Sequence, residues 1–254
     1  MISLSSDQII LWVNSFLWPL TRILGLIAIA PVFGNASIPV IVKISFGVVL
    51  TLIVAPTLQN LPHIDPLTLA GMMILVQQFI IGIAMGFTIQ IVFAAVDLAG
   101  NIIGMTMGLG FASFYDPQTN GTTPAISQFL SLIATILFLS LNMHLVVLST
   151  LVDSFNTIPI GTSLAPDAMK NIVMTGSTVF SSGLQLALPV ITALLVTNIA
   201  LGILTRAAPQ LNLFGIGFPI TMTVGFLMIF IIIPYLGAPL EKLFEIGVHN
   251  AALR

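Results

Sequence analysis

Residues 67–115 read LTLAGMMILVQQFIIGIAMGFTIQIVFAAVDLAGNIIGMTMGLGFASFY, and the ionisable side chains among them are Asp97 and the very weakly acidic Tyr115. As a single helix rising about 1.5 Å per residue, this run is about 70 Å long, roughly twice the hydrocarbon thickness of a bilayer. It must bend, re-enter, or leave the bilayer while still wrapped in protein. Within it Gly100, Gly104 and Gly108 recur at every fourth residue, so a helix carries them as one narrow face of bare backbone. That face leads into Phe111, Phe114 and Tyr115, and Asp116-Pro117 then stops the helix. Such a strip is either a tight packing seam or a movable constriction.

The surrounding chain has the same character. Its 254 residues are 57% hydrophobic and only 6% charged, against about 25% charged in an ordinary soluble domain. So few charges cannot cover a soluble protein of this size. The chain is therefore an integral membrane protein, or a subunit whose surface is almost wholly covered by others. A net charge of −2 gives no pull toward nucleic acid or an acidic partner. With no cysteine, disulfides, thiolate metal sites and cysteine nucleophiles are excluded, and the redox compartment is undetermined. Met1 to Gln8 has no basic residue and Arg22 interrupts the apolar run that follows, so residues 8–33 read as a retained first helix, not a signal peptide.

Apolar stretches fall at about 8–33, 38–58, 67–96, 125–152, 170–205 and 213–236, six segments of membrane-span type. The breaks are Gly34 to Pro39, Pro56 to Pro66, Asp116 to Pro124, Ser154 to Pro166, and Arg206 to Asn212. Asp65-Pro66 and Pro166-Asp167 suit first helical turns. Residues 170–205 are overlong, and Pro189 is expected to kink them. With strict alternation Lys43 and Arg206 fall on one side and Lys170, Lys242 and Arg254 on the other, so the positive-inside rule gives no orientation. No soluble domain or low-complexity linker is present.

Catalytic constellations are thin. His63, His144 and His249 are scattered, none at metal-ligand spacing with another histidine or a carboxylate, and no nucleophile elbow or phosphate loop occurs. An enzyme is not indicated. Arg22, Asp97 and Arg206 lie inside apolar stretches, with Lys43 near a helix start. Such residues face cavities or partners when deep in a bilayer, or sit near helix ends and snorkel or pair. The second reading is favoured, because no two carboxylates and no His-carboxylate pair share a segment face.

Gly82 and Gly86 form another G-x-x-x-G, a spacing that lets helix backbones approach closely. Gly108 and Gly110 weaken the helix locally, so its aromatic end is open to being a loop. Residues 197–212, TNIALGILTRAAPQLN, describe a helix that stops at Arg206 to Pro209 and turns through polar residues. Arg206 favours the helix dipole, and Gln210 and Asn212 can bond the carbonyls of the turn. This is a capped hairpin tip or a polar collar at an aqueous opening.

At GNIIGMTMGLGFASFYDP (100–117) and LLVTNIALGILTRAAPQLNLFGIGFP (194–219) the chain resembles the FliR family, the R subunits of the flagellar type III export gate. The likeness runs over nearly the whole length. The injectisome T-type export-apparatus proteins share the architecture, but both motifs have the flagellar form. The resemblance implies an all-α, integral-membrane-type subunit of about six long, kinked helices. It would be a single domain (1–254) with a P-like N-terminal part (about 1–165) and a Q-like C-terminal hairpin (about 170–254), whose tip carries Arg206, Pro209, Gln210 and Asn212.

It further implies a non-enzymatic component with no cofactor, in the bacterial inner membrane at the flagellar basal body. FliP and FliQ join it in a closed helical assembly, with FlhB, FlhA and rod or basal-body proteins as neighbours. Unfolded rod, hook and filament proteins pass through. That assembly rides largely above the membrane plane, which would account for the overlong helices and silent charge rule. A plug-like loop of the family maps to about 106–120. Its bulky members here would be Phe111, Phe114 and Tyr115, with Asp116 behind them, Met105 and Met107 flanking, and Gly108 and Gly110 as hinge. Methionine suits a seal that re-packs around varied cargo. Gly100 and Gly104, with Gly82 and Gly86, would serve helix packing. The alternatives are an injectisome subunit, a self-contained secondary transporter, which usually carries an internal repeat not evident here, and a scaffold whose glycines only pack.

Overall fold

In a dry environment a chain this apolar favours the α-helix, because each peptide group then bonds within its own segment. The computed structural model describes residues 6–58, 61–111, 125–164, 166–208 and 213–253. Among these the protein is all-helical, with nine α-helices and no strand. They are α1 (Ser6–Ile29), α2 (Val40–Val54), α3 (Leu69–Thr106), α4 (Ala125–Ser140), α5 (Met143–Thr157), α6 (Pro166–Gly176), α7 (Thr178–Ala207), α8 (Phe218–Ile232) and α9 (Gly237–Ala251). Five runs are long and apolar enough to cross a membrane, at Ile10–Ile29, Val40–Thr57, Leu69–Thr106, Pro166–Ala207 and Gly215–Tyr235. A sixth arises if α4 and α5 are read as one broken span.

The overlong run resolves into one unbroken helix. α3 holds 38 residues, about 57 Å of rod, and 67% of its most apolar window is buried within the chain. Three expectations are corrected. The stretch 125–152 is two helices, because Asn142 takes a left-handed conformation (φ 56°) that asparagine tolerates and most residues do not. The run 170–205 is interrupted at Ser177, after the weak helix former Gly176, and Pro189 lies inside α7. Finally, α9 lies beyond the last apolar stretch. It carries Glu241, Lys242 and Glu245, and its buried Leu240, Phe244, Val248 and Ala251 recur at helical spacing.

Helix starts follow local chemistry. The Asp65-Pro66 pair forms the turn before α3, with Asp65 Oδ1 accepting from Leu67 N–H at 2.9 Å. The cap itself is Thr68, whose hydroxyl accepts the Gly71 N–H at 3.2 Å. α6 begins at Pro166 with Asp167 in its first turn.

The chain divides into two compact units. The first comprises Met1–Ile91, Asn142–Gly176 and Glu245–Arg254. Here α1 lies against α3 along a seam of bare backbone. A side chain at Gly82 would come 2.1 Å from the Arg22 carbonyl, one at Gly25 would come 2.6 Å from the Phe79 carbonyl, and one at Gly86 would reach the Leu26 carbonyl and Ala30 nitrogen at 3.0 Å. Beside this seam Asn14, Trp18 and Arg22, spaced by four, form a buried face of α1.

Arg22 is wholly buried and works as a cross-tie. Its Nε donates to Gln78 Oε1 of α3 at 2.8 Å. Its Nη1 donates to the Ser154 carbonyl and its Nη2 to the Ile158 carbonyl, both at 2.9 Å. Those oxygens belong to the C-terminal end of α5, where the helix dipole attracts a cation. The Phe155 ring lies under the guanidinium, 4.3 Å from ring centroid to Cζ. Arg22 therefore neither snorkels nor faces an aqueous cavity. Lys43 turns back onto the Gly34 carbonyl at 2.8 Å, and Asn14 holds the Pro62 and Ile64 carbonyls at 3.2 and 2.9 Å.

The second unit comprises Val92–Leu141 and Ser177–Phe244. Its centre is a triangle of Phe93, Phe138 and Phe244, with ring centroids 5.2–5.7 Å apart. α7 packs on α8, and Gly183 of α7 brings its backbone against Ala95 and Leu98 of α3.

Two substitutions test the first unit. Arg22→Leu takes the buried donor from Gln78 Oε1 and from the Ile158 carbonyl and should destabilise by about 1–3 kcal/mol for each group left unsatisfied. Arg22→Lys, which lacks the forked donors, should fall between it and the unaltered protein in a detergent melting series. Gly82→Ala should force α1 from α3 and lower the midpoint. Gly202→Ala, where a methyl meets open space, should gain about 0.5–1 kcal/mol of helix propensity.

Candidate functional site

The glycine series occupies the last turns of α3, and the structure separates its members. Gly100 lies against α4 so closely that a side chain there would come 2.3 Å from Ser127 Cα and 2.8 Å from Ser127 N. Gly104 is buried on the helix. Gly108 has left it. The last helical bond of the segment runs from Met107 N–H to the Ile103 carbonyl at 2.9 Å, and Gly108 N–H folds back to the Met105 carbonyl at 3.0 Å. Gly108 takes φ 91°, a conformation open to glycine and strained for other residues. A short 3₁₀ turn, Leu109–Phe111, follows.

The two methionines before this turn have opposite surroundings. Met105 is 63% exposed, whereas Met107 is 0% exposed. Met107 fills the space left by Gly225 of α8, with its Sδ 2.7 Å from where a Cβ would stand. One turn earlier on α8, the Thr221 hydroxyl donates to the Met107 carbonyl at 3.1 Å. That bond satisfies a carbonyl freed by the end of α3. Thr221, Gly225 and Ile229 form the buried stripe of α8, so the helix end is seated in a groove made by small residues.

On the far side of the segment, α4 opens with a second anchorage. Ser127, in its first turn, is fully buried, and its hydroxyl donates to the Asp97 carboxylate of α3. This pairing is how Asp97 is accommodated within an apolar helix.

The remaining expected residues fall as follows. Gly110 is exposed, with nothing near a would-be side chain, and Phe111 closes the 3₁₀ turn. Phe114, Tyr115 and Asp116 lie outside the described residues, as do Pro209, Gln210 and Asn212. Arg206 stands exposed in the last turn of α7. Sequence reading did not single out Gly25, Ser127, Thr221 or Gly225. Thr21/Gly25 and Thr221/Gly225 are small-xxx-small pairs, a signal that could have found two of the grooves.

The arrangement performs packing and hydrogen bonding: it ties the end of α3 to α8 and the start of α4 to α3. Among the described residues, fold and site together define an all-α protein with helices of membrane-span type. Residues 13–246 match the family described as bacterial export proteins, family 1. The chain is 43% identical over 246 residues to the flagellar biosynthetic protein FliR of Escherichia coli (strain K12), covering 96% of this chain and 94% of that protein. It is equally similar to the protein of the same name from Pectobacterium carotovorum subsp. carotovorum. The Bacillus subtilis (strain 168) protein of that name is 27% identical, covering 93% of this chain and 92% of its own. This chain belongs to bacterial export protein family 1.

The seat of Met107 can be tested directly. Thr221→Val should cost about 0.5–1.5 kcal/mol for the lost hydrogen bond. Gly225→Leu, which competes with Met107 for one space, should cost about 1–3 kcal/mol. Combining Gly225→Leu with Met107→Ala should recover part of that loss, a coupling read from a double-mutant cycle in melting midpoints.

Proposed function

We propose that this chain is the R-type subunit of a flagellar type III export gate, and that the segment around 106–120 plugs the closed pore. The observation that carries this reading is the near-full-length likeness to flagellar FliR proteins. Exposed surface supports it. In α2 and in the α6–α7 run only 17% of the most apolar window is buried within the chain, and in α8 only 22%. Those faces require an apolar cover. FliP and FliQ subunits in a closed helical assembly supply it, in the inner membrane at the basal body beside FlhB, FlhA and the rod. Residues about 1–165 then act as the P-like part and about 170–254 as the Q-like hairpin, with Arg206 to Asn212 at its tip.

The subunit carries no catalytic step. Phe111, Phe114 and Tyr115 form the apolar bulk of the plug, and an unfolded rod, hook or filament protein displaces them on insertion. The glycines at 108 and 110 supply the bend. Met107 acts as the fixed end of the plug, since it is buried against α8, and Met105 is the exposed flanking methionine. Energy enters from the export ATPase and the proton-motive force.

Deleting the chain should abolish motility and the recovery of an assembled FliP–FliQ complex. Shortening residues 110–116 should leave assembly intact and raise membrane permeability to small solutes; unchanged permeability sinks the plug. Replacing Phe111 and Phe114 together with alanine should leak in the same way. If assembly falls instead with no leak, the glycine-rich end is a scaffold.

A further inference from the structure

We propose that Asn14, Trp18 and Gln78 form a buried binding site for one structural water, which completes the Arg22 cross-tie. The site lies within the first compact unit. Asn14, Trp18, Arg22 and Gln78 meet between α1 and α3, and none of the four has any exposed surface.

The orientation of both amides is fixed by their partners. Arg22 offers only donors, so Gln78 turns its oxygen toward the guanidinium, and Oε1 accepts from both Nε and Nη2. Gln78 Nε2 therefore points away from Arg22. Asn14 is set in the opposite sense. Its Nδ2 donates to the Pro62 and Ile64 carbonyls, which leaves Oδ1 free of them. Turning either amide over would forfeit two hydrogen bonds. What remains is two donors, Trp18 Nε1 and Gln78 Nε2, and one acceptor, Asn14 Oδ1. All three atoms are buried and have no partner among the described residues.

Helix register brings these groups to one place. A side chain at Gly82 would meet the Arg22 carbonyl and one at Gly86 the Leu26 carbonyl, so α1 and α3 run parallel. One turn back on each helix sets Gln78 level with Trp18, and Asn14 follows one turn further along the same face of α1. A buried donor or acceptor left unpaired bears its full desolvation cost, and a buried water makes about three hydrogen bonds to such groups. One water accepting from Trp18 and Gln78 and donating to Asn14 satisfies all three atoms. The two donors and Arg22 repel a cation, and Asn14 Oδ1 opposes an anion. With the water in place, hydrogen bonding is continuous from the Pro62 and Ile64 carbonyls, through Asn14 and Gln78, to Arg22 and the Ser154 and Ile158 carbonyls. The chain leading into α3 and the end of α5 are then held to α1 by one polar network.

The test is a density map of the complete chain in its assembled complex, at a resolution that shows ordered waters. A single peak about 2.7–3.2 Å from Trp18 Nε1 and Gln78 Nε2, and in reach of Asn14 Oδ1, is expected. The indole gives a second readout. Trp12 and Trp18 are the two tryptophans of the chain, so Trp12→Phe, at a residue that is 65% exposed, leaves Trp18 as the reporter. Ultraviolet resonance Raman spectra of that full chain should show its indole N–H band at the hydrogen-bonded position. A map without the peak, or a band at the free position, overturns the inference. So does a peak that bromide replaces when the complex is prepared in bromide, because the site then holds an anion.

Discussion

The first compact unit depends on a cation placed where no water reaches it. Arg22 has no exposure and bonds only to neutral groups: one amide oxygen, one hydroxyl and two carbonyls. Such a charge is tolerable because the donors of its rigid fork find acceptors and because two of those acceptors lie at the negative end of α5. The same residue offers its own carbonyl to the closest point of the α1–α3 seam, at Gly82. Polar satisfaction and backbone approach are therefore coupled at one position. Moving α1 by the width of a methyl group would disturb both at once.

Much of this was legible from the sequence because its signals are short-range. The all-helical character and the span-type segments follow from runs of apolar residues, and Gly82, Gly86 and Gly100 advertise close approach by spacing. What escaped reading needed knowledge of a partner helix. Ser127 looks like any serine near a helix start until Gly100 is laid against it, and nothing marks Met107 as seated until Gly225 is found to receive it. Asn142 escaped because a single left-handed residue interrupts an otherwise continuous apolar run. α9 escaped for the opposite reason, since its charges hide a stripe that a search for unbroken apolar spans passes over. Arg22 was read as a helix-end residue because its partners stand 56 to 136 positions away.

The family assignment and the geometry bear on different questions. Membership of the bacterial export family accounts for helices that are long, apolar and poorly covered by their own chain. The geometry supplies distinctions that family membership does not: adjacent methionines with opposite exposure, a glycine series whose third member has left the helix, and an acidic side chain tied to the start of the next helix.

The uncovered faces of α2, α7 and α8 have a consequence for how the chain exists in a cell. Whatever binds those faces binds the folded form in preference to the unfolded one, so by mass action folding and association share one equilibrium. The stability of this chain is then no fixed property. It rises with the concentration of the molecules that cover it, and a copy made in excess of them is a substrate for proteolysis. Matched synthesis of subunits is, on this view, part of what keeps the fold intact.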